Sequence, residues 1–139
     1  MKFKIYLAGG MTGIPDEEQK GWRTKIAELS EYLSINISFF NPTKFFPVDR
    51  VYTHEEEKKA MRFDLRNLKK ADLVIANIST NNKSVGTNME IATAYELGIP
   101  VIIYNPDNSE IHPWQRGMSD FIFNEMEDML YYINNYYME

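Results

Sequence analysis

Leu73-Val74-Ile75-Ala76-Asn77-Ile78, then a polar loop from Ser79 to Gly86, then Thr87-Asn88-Met89-Glu90-Ile91-Ala92-Thr93-Ala94-Tyr95-Glu96-Leu97-Gly98, decides the fold. The first run is apolar at successive as well as alternate positions, which suits a central parallel strand buried on both faces. The second run has helical composition and is stopped by Gly98 and Pro100. Val101-Ile102-Ile103-Tyr104 then reads as another strand. A strand, a helix and a strand joined this tightly imply a right-handed crossover between parallel neighbours.

The same alternation extends outward. Residues 2–8 form a short alternating strand that runs into Gly9-Gly10-Met11-Thr12-Gly13. Residues 16–34 read as a helix, with Trp22, Ile26, Leu29 and Leu33 spaced by threes and fours. Ile35 to Phe40 is β-rich and closed by Asn41-Pro42, and a helix is expected from about Glu55 to Lys70. After a loop holding Pro106, His112 and Pro113, Phe121 to Phe123 reads as a short fifth strand, and Asn124 to about Tyr136 as a closing helix. The pattern predicts one α/β domain over 1–139, a flavodoxin-like three-layer sandwich around a five-stranded parallel sheet.

Composition narrows the function classes. At 139 residues, with 44% hydrophobic and 25% charged residues, the chain reads as an ordinary globular domain able to bury its own core. Cysteine is absent, so disulfide and thiolate chemistry are excluded. The net charge of -5 argues against non-specific nucleic-acid binding. No apolar run approaches bilayer length, and residues 1–8 do not resemble a signal peptide, so no membrane partner and a cytoplasmic location are expected. His54 and His112 lack metal-ligand spacing, so no metal is expected. The closing tyrosines, Tyr131, Tyr132, Tyr136 and Tyr137, read as cover for the sheet or for an oligomer contact.

Four places carry candidate chemistry. The Gly9–Gly13 loop, with Gly10 and Thr12, can bring backbone N–H groups close to a ligand, but it is neither a Walker A sequence nor a dinucleotide fingerprint. A tight turn without a ligand accounts for it equally well. Asp64 falls on the stripe formed by Met61, Leu65 and Leu68, where a carboxylate is costly unless paired or at a cleft edge. Arg62 and Arg66 are available as partners, which would make Asp64 an ion-paired helix residue; a place at a cleft is the alternative. Asp72 reads as a plain loop or capping residue.

Glu90 has two readings. Thr87-x-x-Glu90 fits a capping box. Yet Ser84, Gly86, Thr87 and Asn88 supply more small hydrogen-bonding groups than a cap requires, at the junction where open α/β sheets bind ligands. A carboxylate near a helix N-terminus is expected to stay ionised, as a nucleophile requires. Tyr6 lies on a strand expected inside the sheet, where its hydroxyl either orients a carboxylate or is a satisfied core group.

Lys4-Ile5-Tyr6-Leu7-Ala8-Gly9-Gly10, the segment Phe63-Asp64 through Ile75, and Gly86 through Gly98 occur here in one order. In this the chain resembles the nucleoside 2-deoxyribosyltransferase family, whose superfamily includes 2′-deoxynucleoside 5′-monophosphate N-glycosidases. The resemblance runs from the first strand to Asp120. It implies a flavodoxin-like fold, Glu90 as nucleophile, Asp64 at the nucleobase and sugar, and Tyr6 as the residue holding the nucleophile. Transferases of the family commonly carry Asp six residues before the nucleophile; here that position is Ser84, as in the monophosphate hydrolases that grip the 5′-phosphate with serine. The resemblance also implies a homo-oligomer in which a neighbouring subunit contributes the region around His112, Arg116 and Ser119, and a reaction needing no cofactor. The implied substrate is a small nucleoside or nucleotide, with transfer and hydrolysis as alternative fates of a deoxyribosyl-Glu90 intermediate. A nucleotide-binding module that has lost the reaction, and a scaffold whose Glu90 only caps its helix, are the competing readings.

Overall fold

Strands buried on both faces build two hydrophobic layers on either side of one sheet. The structure, a computed structural model, describes residues 2–10, 16–45, 52–79 and 84–138. In chain order the elements are β1 (Phe3–Gly9), α1 (Asp16–Tyr32), β2 (Ile37–Phe40), a 3-10 turn (Pro42–Lys44), α2 (His54–Lys69) and β3 (Leu73–Asn77). They continue with α3 (Val85–Glu96), β4 (Val101–Tyr104), α4 (Pro113–Met118), β5 (Phe121–Phe123) and α5 (Met126–Tyr136). The strands form one sheet in the order β2-β1-β3-β4-β5, and every pairing is parallel. This is the expected flavodoxin-like arrangement.

Side chains on successive strand residues point to opposite faces. Ile5 and Leu7 of β1, with Leu73 and Ile75 of β3, meet Ile26 of α1 and Met129, Leu130 and Ile133 of α5. Tyr6 and Ala8, with Val74 and Ala76, face the other way and meet Leu68 of α2 and Ile91 and Ala94 of α3. Fully burying each large aliphatic side chain of this kind stabilises the fold by about 1.5–3 kcal/mol. Register is tied at the strand starts, where the Lys4 N–H donates to Asp72 Oδ2 and the Asp72 N–H donates to the Lys4 carbonyl, each at 2.8 Å.

Strand order places the site. From β1 the chain steps to one side to form β2, then crosses back so that β3 lies on the other side of β1. The helices following β1 and β3 therefore cover opposite faces, which opens a crevice at the C-terminal ends of these two strands.

Three local expectations differ from the structure. Helix α3 begins at Val85, one half-turn before Thr87, because Ser84 is its N-cap and accepts the Thr87 N–H at 3.2 Å. The segment read as a loop around His112 contains the short helix α4, capped by His112 with a reciprocal Gln115 bond. Met61, placed on the core stripe of α2, is 51% exposed; the buried residue of that helix is Leu68, with Phe63, Asp64, Leu65 and Asn67 half-buried. No helix among the described residues is long and apolar enough to cross a membrane.

Candidate active site

Glu90 does not cap its helix. With α3 starting at Val85, the first-turn N–H groups belong to the Ser84 cap, and Glu90 falls in the second turn. Three residues after Thr87 and four before Ala94, both buried, it shares the stripe that faces the sheet. There the Tyr6 hydroxyl donates to Glu90 Oε2. The capping-box reading is thereby overturned: the side chain reaches across to β1 rather than back to its own amides.

Tyr6 is fully buried in the middle of β1, opposite Phe40 of β2 and Val74 of β3. Its ring stacks on Phe40 at 5.2 Å between centroids, and Phe40 stacks on Phe45 at 5.3 Å. Phe63 of α2 packs against both phenylalanines, at 5.9 and 5.2 Å. This aromatic wall lowers the polarity around Asp64, the next residue on α2. Among the described residues, the buried Oδ1 of Asp64 has no hydrogen-bond partner. Arg62 and Arg66, the partners available along the chain, are exposed.

Among the described residues the cation of the site is Arg23, which was not anticipated. It lies on α1 at 1% exposure and donates through Nη2 to the carbonyls of Gly9 at 3.3 Å and Leu7 at 3.5 Å. Its guanidinium also stands 4.9 Å from the centre of the Trp22 ring. A Cβ on Gly9 would come within 3.1 Å of both Arg23 Nη2 and the Trp22 ring, so glycine here lets α1 close against the strand end. The readable signal was the spacing of Arg23, Ile26 and Ser30, three buried residues on one helical stripe.

Burial governs the electrostatics. It pushes Glu90 up to about 7; the Tyr6 hydrogen bond and Arg23 oppose this, while Asp64 adds to it. Burial also pushes Asp64 up to about 6, with Arg23 pulling it down. The expectation that Glu90 is held ionised by its helix terminus is therefore corrected. Terminal dipole effects fade within the first turn, and desolvation outweighs them at this depth. Tyr6 is driven far above its ordinary value, first by burial and then by Glu90, and so keeps its proton as a donor. Arg23 is lowered by burial to about 10 and remains a cation at neutral pH.

The remaining candidates distribute unevenly. Thr12 lies outside the described residues, and Gly10 is half-buried at the end of β1. Ser84 Oγ accepts from the Thr87 N–H at 3.2 Å and from the Thr87 hydroxyl at 2.9 Å, which leaves its own proton to donate. Gly86 is exposed with open space around its Cα. Asn88, two residues from Glu90, points to another side of α3 and accepts from Gln115 Nε2 at 2.7 Å. It helps line a groove of about 520 Å³ between α3 and α4, together with Ile91, Glu110, His112, Trp114 and Met118. Tyr6, Asp64 and Glu90 do not line that groove. His112 Nδ1 accepts the Trp114 N–H at 3.1 Å, and Ser119 donates to the Arg116 carbonyl at 3.2 Å, so these residues cluster on α4 and its ends. Among the described residues no group of three His, Asp or Glu is placed to hold a metal ion.

Residues 5–132 match the family model described as nucleoside 2-deoxyribosyltransferase. The chain belongs to this family. That makes it an enzyme of the deoxyribosyltransferase and N-glycosidase kind, acting on small-molecule nucleosides or nucleotides. Among solved structures it is similar to a 2-deoxyribosyltransferase from Bacillus psychrosaccharolyticus, at 26% identity and TM-score 0.75, over 91% of this chain and 90% of that one. A conserved protein from Enterococcus faecalis shares the fold at 19% identity and TM-score 0.77, over 97% and 99% of the two chains. So does the CMP N-glycosidase BcmB of Clostridium botulinum, at 21% identity and TM-score 0.57, over 96% and 98%. No curated protein sequence matches the chain.

Proposed function

We propose that the protein cleaves the N-glycosidic bond of 2′-deoxynucleosides through a covalent deoxyribosyl-Glu90 intermediate and transfers the sugar to a second nucleobase. The observation that carries this reading is the Tyr6–Glu90 hydrogen bond at the β1–β3 crevice, which directs the carboxylate away from its own helix. In the first step a Glu90 carboxylate oxygen bonds to C1′ as the C1′–N bond breaks, through an oxocarbenium-like transition state. The bonding pair leaves with the base, which takes a proton from Asp64 or from a water that Asp64 positions. In the second step a ring nitrogen of an incoming base attacks C1′, the bond from C1′ to the Glu90 oxygen breaks with its electron pair returning to the carboxylate, and the acceptor's proton passes to Asp64 or to the water it positions.

Each described group has a role in this scheme. Tyr6 holds Oε2 and leaves Oε1 to attack. Asp64, raised to about 6 by burial, takes up a proton more readily than an ordinary carboxyl, and it shares that proton with Glu90 as a coupled pair. The aromatic wall of Phe40, Phe45 and Phe63 keeps this side of the site apolar, which strengthens the interactions inside it. Gly9, Gly10, Thr12 and Gly86 belong to the segments proposed to surround the substrate, whereas Asn88 faces Gln115 of α4.

A neighbouring subunit completes the site in this proposal, contributing His112, Arg116 and Ser119 from α4 and its ends. Trp114, Val85 and Met89 are 72%, 68% and 64% exposed on α4 and α3, an apolar surface suited to a second copy.

A second reading, hydrolysis of 2′-deoxynucleoside 5′-monophosphates, is favoured by Ser84. Its hydroxyl proton is available next to the first N–H groups of α3, a setting that attracts a phosphate oxygen. Water in place of the second base then releases deoxyribose 5-phosphate.

The deciding experiment incubates the protein with deoxynucleosides and their monophosphates, with and without an acceptor base, and resolves the products by chromatography. A new nucleoside formed only with acceptor supports transfer, and free base without acceptor supports hydrolysis. A slow 2′-fluorinated analogue should leave a sugar adduct on Glu90 by mass spectrometry. An adduct on another residue, or unimpaired turnover in Glu90→Ala, sinks the assignment.

A further inference from the structure

The buried cation of α1 has no part in the scheme above, and its placement calls for one. The Lys4 carbonyl accepts from Asp72, on the β3 side of β1. By strand alternation the carbonyls of Leu7 and Gly9 point the other way, towards β2. Registered pairing with β2 ends at Tyr6 opposite Phe40, so these carbonyls lie past the end of the ladder, and Arg23 donates to both. The guanidinium is thus fixed at the strand end by two hydrogen bonds, by the Trp22 ring and by the close approach that Gly9 permits.

A neutral donor could have closed that ladder without burying a full charge, which is expensive to take out of water. Among the described residues, the titratable groups that act on Arg23 are Tyr6 from β1, Asp64 from α2 and Glu90 from α3. Tyr6 lies on the opposite face of the sheet from the α1 core contacts and donates there to Glu90. We infer that Arg23 is a positioning residue of the reaction: anchored on the strand that carries Tyr6, it lends a fixed positive charge to the Glu90–Asp64 pair. Without that charge two carboxyls in an apolar site favour their neutral forms, and the nucleophile is lost at physiological pH. This inference rests on the proposed roles of Glu90 and Asp64.

Two substitutions separate the charge from the hydrogen bonds. Arg23→Gln keeps a donor for the carbonyls and removes the charge, while Arg23→Lys keeps the charge and loses the fork. In the full-length protein, carboxyl carbon NMR follows the ionisation of Glu90 and Asp64, assigned with Glu90→Gln and Asp64→Asn. Arg23→Gln should move both midpoints up by about one pH unit, the effect of losing a nearby opposite charge, and Arg23→Lys should leave them in place. On the acid limb of base release, Arg23→Gln should lower kcat about tenfold with KM unchanged, which is the same unit expressed as a rate. A folded Arg23→Gln with wild-type midpoints overturns the inference. Should Arg23→Gln not fold, Arg23→Met decides: a rise of about one unit in both midpoints supports the inference, and wild-type midpoints overturn it. Because NMR reads ionisation without turnover, a Glu90→Gln protein that still releases base removes the proposed mechanism while leaving the midpoint result to stand or fall separately.

Discussion

The Tyr6 hydroxyl donates to Oε2 of Glu90, joining a strand residue to a helix residue 84 positions later in the chain. Both side chains are withdrawn from bulk water, so the bond is charge-assisted whenever Glu90 is ionised, and such bonds are worth roughly 1.5–3 kcal/mol. Tyr6→Phe should therefore reduce kcat/KM for base release by about ten- to a hundredfold while retaining the fold by circular dichroism. Wild-type kinetics in that variant would separate the tyrosine from the reaction.

The two carboxyls, raised to about 6 at Asp64 and about 7 at Glu90, titrate as a coupled pair. The proposed chemistry needs one proton on the pair: an anion to attack and an acid to assist the base. Activity should follow a narrow bell, falling below about 6 as both become protonated and above about 7 as both lose their protons. Asp64→Asn should abolish the alkaline fall, and a rate profile that is flat across this range counts against the pair.

The same shifts have a stability consequence with a definite sign. Burial raises both groups above their unfolded values, so the folded state binds more protons than the unfolded state in the interval between. Their contribution to stability is complete below the unfolded values, about 4, and is lost as pH rises through about 6 to 7. Glu90→Gln removes that penalty. It should raise Tm by a few degrees at pH 8 and change it little at pH 4, even as it abolishes turnover. A lower Tm at pH 8 would contradict the direction of the shift.

Ser84 serves the helix whatever else it does. Ser84→Ala should cost about 1 kcal/mol of stability through the lost N-cap. If the serine also grips a phosphate, KM rises for 5′-monophosphates and stays unchanged for the parent nucleosides. Equal effects on the two substrate classes would confine Ser84 to capping.

Gly9→Ala brings a methyl group to 3.1 Å from Arg23 Nη2 and from the Trp22 ring. Overpacking of this kind costs about 1–3 kcal/mol. Thermal unfolding should show the loss, together with weakened base release as Arg23 is displaced.

Much of this architecture could be read from the chain because burial leaves a periodic trace. Leu73 to Ile78 and Val101 to Tyr104 are apolar on both faces and could only be interior strands. Asp64 was visible as a carboxylate on an apolar stripe, Glu90 by its place at a strand–loop–helix junction rich in small polar residues, and Tyr6 by its place on an interior strand. The start of α3 was misread because Ser84 and Thr87 are both competent caps, and only the folded loop selects between them. Arg23 escaped notice for a different reason. An arginine beside the Trp22–Ile26 stripe looks like a solvated rim residue, and what buries it is the bare Cα of Gly9 on another element. Arg62 and Arg66 were nearer to Asp64 in sequence but lie exposed on their own helix, so proximity along the chain named the wrong cation.

The return of the chain across β1 to make β3 means that the reactive cluster draws on segments far apart in sequence that only the formed sheet brings together. Tyr6, Asp64 and Glu90 become neighbours only when the third strand docks beside the first and brings its two flanking helices with it. Turnover should therefore disappear in step with the sheet as the protein is heated, leaving no partly competent fragment behind.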